Sequence, residues 1–130
     1  MVKTYHYRTD GNKKLSSHFK VSEFRCSLYD EIKIDLDLID ILERLYDKLK
    51  CSKIIITSGY RTPKHDKAVG GTGNGYHTKG QAADINAYHK VNGKEERYHG
   101  SVIVCALQEL GWFHGIGYIS GAAVHIDTRT

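Results

Sequence analysis

A helix followed directly by a strand sets the fold class of this chain. Over residues 36–49, Leu38, Ile41, Leu42, Leu45 and Leu49 recur at helical spacing, while Glu43, Arg44, Asp47 and Lys48 fall off that stripe. Asp35 or Asp37 is the expected N-cap. Four residues later comes KIIITS (53–58), a β-branched run suited to a buried strand. A helix with one apolar face has to bury that face against another layer. A second amphipathic helix is expected over 99–110, with Val102, Ile103, Ala106, Leu107 and Leu110 apolar and Gly111 as its stop. Strands are expected at 81–88, 115–119 and 123–128, the last two joined by Ser120-Gly121-Ala122. A polar turn is expected at Asn92–Gly93. The order helix, strand, loop, strand, helix, hairpin predicts an α+β fold, with helices on one face of a mainly antiparallel sheet.

The chain of 130 residues suits one domain, with residues 1–14 as a polar lead-in carrying one short strand near Tyr5–Arg8. Six of the thirteen glycines and the only proline fall between residues 59 and 80. Pro63 is placed to open a short helix through Val69, and Gly70, Gly71, Gly73 and Gly75 imply a long loop of the kind that carries function. No run approaches the length of a membrane span. The N-terminus lacks an apolar signal segment, so synthesis in the cytoplasm is expected. The net charge of +4 is spread along the chain and comes with no nucleic-acid-binding motif. It reads as ordinary solubility charge or as weak attraction to an anionic polymer. Three cysteines without paired spacing, Cys26, Cys51 and Cys105, argue against a disulfide framework or a Cys-based zinc knuckle. Cys51 and Cys105 read as small buried thiols.

Chemistry concentrates in three segments: SGYRTPKHD (58–66), YHTKGQAADI (76–85) and VHID (124–127). Asp84 lies between Ala83 and Ile85 in a strand, and a carboxylate there needs a neutralising partner. A turn at Lys79–Gly80 would let His77 fold back towards it. His125 sits between Val124 and Ile126; if those face the core, His125 and Asp127 share the other face. Taken singly, a strand histidine is more often a hydrogen-bonded structural residue than a ligand. Together, His77, Asp84 and His125 match a three-ligand catalytic zinc site with the fourth position for water. Such a site would hydrolyse an amide.

At these residues the chain resembles the zinc D-alanyl-D-alanine carboxypeptidases and L-alanyl-D-glutamate endopeptidases of bacteria and phages. The matching pieces are HFKVSEFRC (18–26), ITSGYRTPKHDKAVGG (56–71), YHTKGQAADI (76–85) and GIGYISGAAVHIDTR (115–129), in the family's order. The resemblance implies a hedgehog-type fold, one Zn2+ per chain held by His77, Asp84 and His125, and peptidoglycan peptides as substrate. Gly75 stands where the family usually has serine. Arg61 matches the arginine that contacts a substrate carbonyl or carboxylate, which suits the fixed fork of a guanidinium. Tyr60 and Asp66 are further candidate substrate contacts, beside local roles in shaping the loop and bracing the short helix. Some branches carry an acid three positions before the last ligand; here that position is Ala122. Asp127 is then the nearest acid, either as general base or as a partner that orients a ligand. His114 is a further candidate for oxyanion stabilisation. The resemblance further implies a monomeric carboxypeptidase or endopeptidase, or a non-catalytic zinc-containing wall-binding module. A compact domain without a signal segment fits a phage or prophage lysis enzyme that reaches the wall once a separate factor breaches the membrane.

Overall fold

The computed structural model describes residues 1–130 and has the expected α+β architecture. A β1 strand (Val2–His6) pairs antiparallel with β2 (Glu31–Asp35). Between them lie a single helical turn, α1 (Tyr7–Asp10), and a 3-10 turn at Val21–Phe24. Lys20 is the N-cap residue of that turn. Glu23 reaches back to the Lys20 amide at 2.6 Å. The main sheet is antiparallel, in the order β3 (Lys53–Ser58), β4 (Ala82–Val91), β7 (Val124–Asp127), β6 (Gly115–Tyr118), and β5 (Lys94–Arg97) pairs with the far end of β4.

Two helices cover one face of this sheet. In α2 (Leu36–Lys48), the predicted stripe buries Leu38, Ile41, Leu42 and Leu45, joined by Ile39, and Asp35 caps the helix by accepting from Asp37 N–H. In α4 (Gly100–Glu109), Ile103, Ala106 and Leu107 are buried. Both pack on the core with Ala83, Ile85 and Ala87 of β4 and Val124 and Ile126 of β7. The alternation of strand side chains therefore sends Asp84, His125 and Asp127 to the opposite face. A short helix, α3 (Pro63–Ala68), and a 3-10 turn at Tyr76–Lys79 lie towards that face.

Several local expectations shift. The first strand begins at Val2 rather than Tyr5, and its partner β2 was not anticipated. The Asn92–Gly93 turn closes a β4–β5 hairpin, both residues at positive φ, as a two-residue turn between twisted strands requires. Cys51 is half-buried and Cys105 exposed, because Cys105 falls off the Ile103–Ala106–Leu107 stripe. Trp112 is buried, whereas Phe113 projects into solvent.

Candidate metal centre

His77 reaches the sheet from the 3-10 turn. That turn ends at Gly80, whose left-handed φ of 74° and close approach to the Lys33 backbone exclude a side chain. The chain then enters β4 and delivers Asp84 beneath His77. The His77 Nδ1–H donates to the Gly59 carbonyl at 2.7 Å, which turns Nε2 towards Asp84 Oδ1, 3.2 Å away. The same segment is tied a second time, since the Arg61 amide donates to the His77 carbonyl at 3.0 Å.

His125 lies opposite Asp84 in the β4–β7 register. It stands between two carboxylates, with Nδ1 2.8 Å from Asp84 Oδ1 and Nε2 2.7 Å from Asp127 Oδ2. Burial works against a charge at His125, yet hydrogen bonds to Asp84 and Asp127 raise its pKa above the ordinary value. Burial also opposes the Asp84 charge, but hydrogen bonds from His125 and His77 outweigh it and hold the carboxyl far below the usual range. One donor atom from each of His77, Asp84 and His125 lies within 4.8 Å of the others. Two imidazole nitrogens thus converge on one carboxylate oxygen at 3.2 and 2.8 Å, somewhat closer than the roughly 3.3–3.5 Å between ligands of a tetrahedral zinc. This donor set fits a divalent metal, with His125 binding through Nδ1 and His77 through Nε2.

Asp127 is fully buried (0% exposed) and both its oxygens are occupied. Oδ2 takes the His125 Nε2–H, and Arg129 donates to Oδ1 through its amide at 3.1 Å and its Nε at 2.8 Å, with a further bond from its terminal nitrogen to Oδ2. Burial alone would raise the Asp127 pKa; the Arg129 and His125 bonds bring it down to about 2. The Arg129 guanidinium also lies 4.7 Å over the Tyr76 ring. A cation–π contact of this kind ties the strand end to the turn that carries His77. Gly115, opposite Asp127 in the β6–β7 pair, makes the room: a Cβ there would overlap the Asp127 carboxylate.

Arg61 stands beside Asp84. Its Nε donates to Ser58 Oγ at 2.9 Å, one terminal nitrogen donates to Asp66 Oδ1 at 3.1 Å, and the other lies 3.6 Å from Asp84 Oδ2. The side chain remains 21% exposed. Asp66 is only 3% exposed and sits behind Arg61, where the Gly73 amide and Arg61 keep its pKa low against burial. Tyr60 belongs to the core, beside Phe24. His114 lies apart from the three donors, with its ring against Trp112 and Nδ1 on the Arg129 carbonyl. Ala122, in the β6–β7 link, presents no acid. Sequence reasoning left Arg129, Tyr76, Gly59 and Gly115 without a role. Only Arg129 carried a signal, a cation two residues beyond an aspartate.

Neither the curated proteins nor the solved structures gave a match. The sequence profile described as Peptidase M15 does match, over residues 17–127. That span runs from the segment before the first 3-10 turn to Asp127 and takes in all three converging donors. The chain belongs to the M15 peptidases, the metallopeptidase family of the zinc D-alanyl-D-alanine carboxypeptidase type.

Proposed function

We propose that this chain uses one zinc ion, held by His77, Asp84 and His125, to hydrolyse amide bonds in the stem peptides or cross-links of bacterial peptidoglycan. The observation that carries the reading is the convergence of His77 Nε2 and His125 Nδ1 on Asp84 Oδ1 with Arg61 alongside. Bound there, zinc would polarise a carbonyl and acidify water. The chain's own groups prepare the site. Gly59 fixes the His77 tautomer, and Asp127 holds His125 by its far nitrogen, leaving Nδ1 for the metal. We assign Asp127 this orienting role rather than that of the base, because Arg129 and His125 engage both of its oxygens. Ser58, Asp66 and Asp84 hold the Arg61 fork with N–H groups to spare for a substrate carboxylate or carbonyl. Asp66 supports that fork from behind, while Tyr60 is buried in the core.

The reading extends to a monomeric lysis enzyme of a phage or prophage. On this reading the enzyme reaches the wall once a separate factor breaches the membrane. A second reading, a zinc-holding module that binds wall without cutting it, is favoured by the lack of an acid at Ala122 and by the engagement of both Asp127 oxygens. The test is clearing of a purified wall suspension by zinc-loaded and chelated protein. Zinc-dependent clearing supports the peptidase; tight wall binding without cleavage supports the module; clearing that survives removal of all metal overturns both.

A further inference from the structure

One row crosses four of the five strands of the main sheet at the level of the metal ligands. Ser58 of β3 pairs with Asp84 of β4, Asp84 with His125 of β7, and His125 with Gly117 of β6. At a strand spacing of about 4.8 Å, the row spans roughly 14 Å. One end is marked by Ser58, which anchors Arg61, the middle by the two sheet-borne ligands, and the far end by a bare glycine.

Nothing in the fold requires glycine there. Gly117 is not in the left-handed region, and a Cβ added to it would meet only His125 Cβ, at an ordinary 3.8 Å. Gly115, two residues earlier on the same face, is sterically obligatory by contrast. A glycine inside a strand weakens it relative to alanine. Where neither backbone nor packing explains it, close approach of a ligand is the remaining reason. Ile116 packs against the core, so position 117 faces the same side as His125.

Resting on the proposed peptidase function, we infer that Gly117 is a specificity-determining position. Its bare backbone forms a shelf for the main chain of the substrate peptide on the side of the scissile bond away from the group held by Arg61. The peptide would then lie across the strands, along the row, rather than parallel to them.

The test compares wild type with Gly117→Ala and Gly117→Val by three readouts: thermal midpoint, zinc affinity by chelator competition, and affinity of the zinc-loaded protein for a soluble, uncross-linked stem peptide by calorimetry. The expected pattern is an equal or higher midpoint, zinc affinity within twofold, and peptide affinity weakened at least tenfold by valine, with alanine intermediate. Unchanged peptide affinity in Gly117→Val overturns the shelf, and so does a midpoint that falls by many degrees, since glycine would then be structural. If wild type clears wall with zinc while Gly117→Val keeps its peptide affinity, the shelf alone fails. If zinc-loaded wild type neither binds the peptide nor clears wall, the proposed function fails and the shelf with it.

Discussion

Replacing Gly115 with alanine should destabilise the protein and weaken its metal site, although alanine normally improves a strand. The new Cβ would occupy the space of the Asp127 carboxylate. A long exposed side chain could swing away from it, but Asp127 is short, buried and tied to His125 and Arg129. Accommodating a methyl in such a place costs about 1–3 kcal/mol. Displacing the carboxylate also forfeits the preference that lowers its pKa from 3.8 to about 2, worth roughly 2 kcal/mol at most. Arg129 is half exposed, so solvent screening reduces that share to about 1–2 kcal/mol. Against these stands the gain of about 0.5–1 kcal/mol from removing a strand glycine. The net loss is on the order of 1–4 kcal/mol, or a fall of roughly 4–15 °C in the thermal midpoint for a chain of this length. The Asp127 share has a defined pH window. Its folded pKa is depressed, so the contribution is full above 3.8 and disappears as pH falls towards 2. The gap between wild type and variant should narrow over that interval. Zinc affinity should drop about 10–100-fold, because His125 loses the partner that orients it. Thermal unfolding with and without zinc, together with chelator competition, measures both effects. A Gly115→Ala protein with wild-type midpoint and wild-type zinc affinity refutes the reasoning.

Other substitutions separate the remaining roles. Asp127→Asn should weaken zinc about 10–100-fold but keep turnover within about tenfold of wild type when zinc is saturating; a much larger loss at full zinc occupancy would make Asp127 the proton-transfer group. Arg61→Lys keeps the charge but not the fork, so the KM for a stem peptide should rise about tenfold or more while zinc affinity changes less than threefold; an unchanged KM would remove Arg61 from substrate binding. Zinc affinity should rise between pH 6 and pH 8, because the raised pKa of His125 makes a proton compete with metal at Nδ1. In the metal-free protein, the stability linked to that proton is full below 6.5 and is lost as pH rises through the higher folded value. Chelator competition across the range checks the first statement, and a flat profile contradicts it.

What the sequence revealed followed the range of the interactions involved. The α2 stripe, its Asp35 cap and the tail hairpin are local patterns, and all are present in the structure. The β-branched β3 forms as well, but at the sheet edge rather than as the buried strand expected: Ile54 is buried, whereas Ile55 is exposed. The β2 strand was missed because Ile32 and Ile34 offer only two alternating apolar positions. Its strand character comes from pairing with β1, about thirty residues away. The fully exposed, charged β5 exists because Asn92–Gly93 folds it back on β4. His77, Asp84 and His125 were readable as a set, since a carboxylate and a histidine each interrupt an apolar strand. The environment of Asp127 was not. Complete burial, the Arg129 clamp and the space left by Gly115 arise only once β6, β7 and the chain beyond them are assembled. Tyr60 and Asp66 were legible as neighbours of Arg61, but which of their atoms face solvent depends on the packing of the loop.

The proposed role of the His77–Asp84–His125 group is that of a zinc site acting on wall peptides. Mass spectrometry of the fragments released from purified peptidoglycan tests it most directly, using zinc-loaded protein, chelated protein, and chelated protein with zinc restored. The expected result is products of amide cleavage within stem peptides or cross-links, absent after chelation and regained with zinc. The same products from metal-free protein, or no amide cleavage by protein with its zinc fully bound, would contradict it.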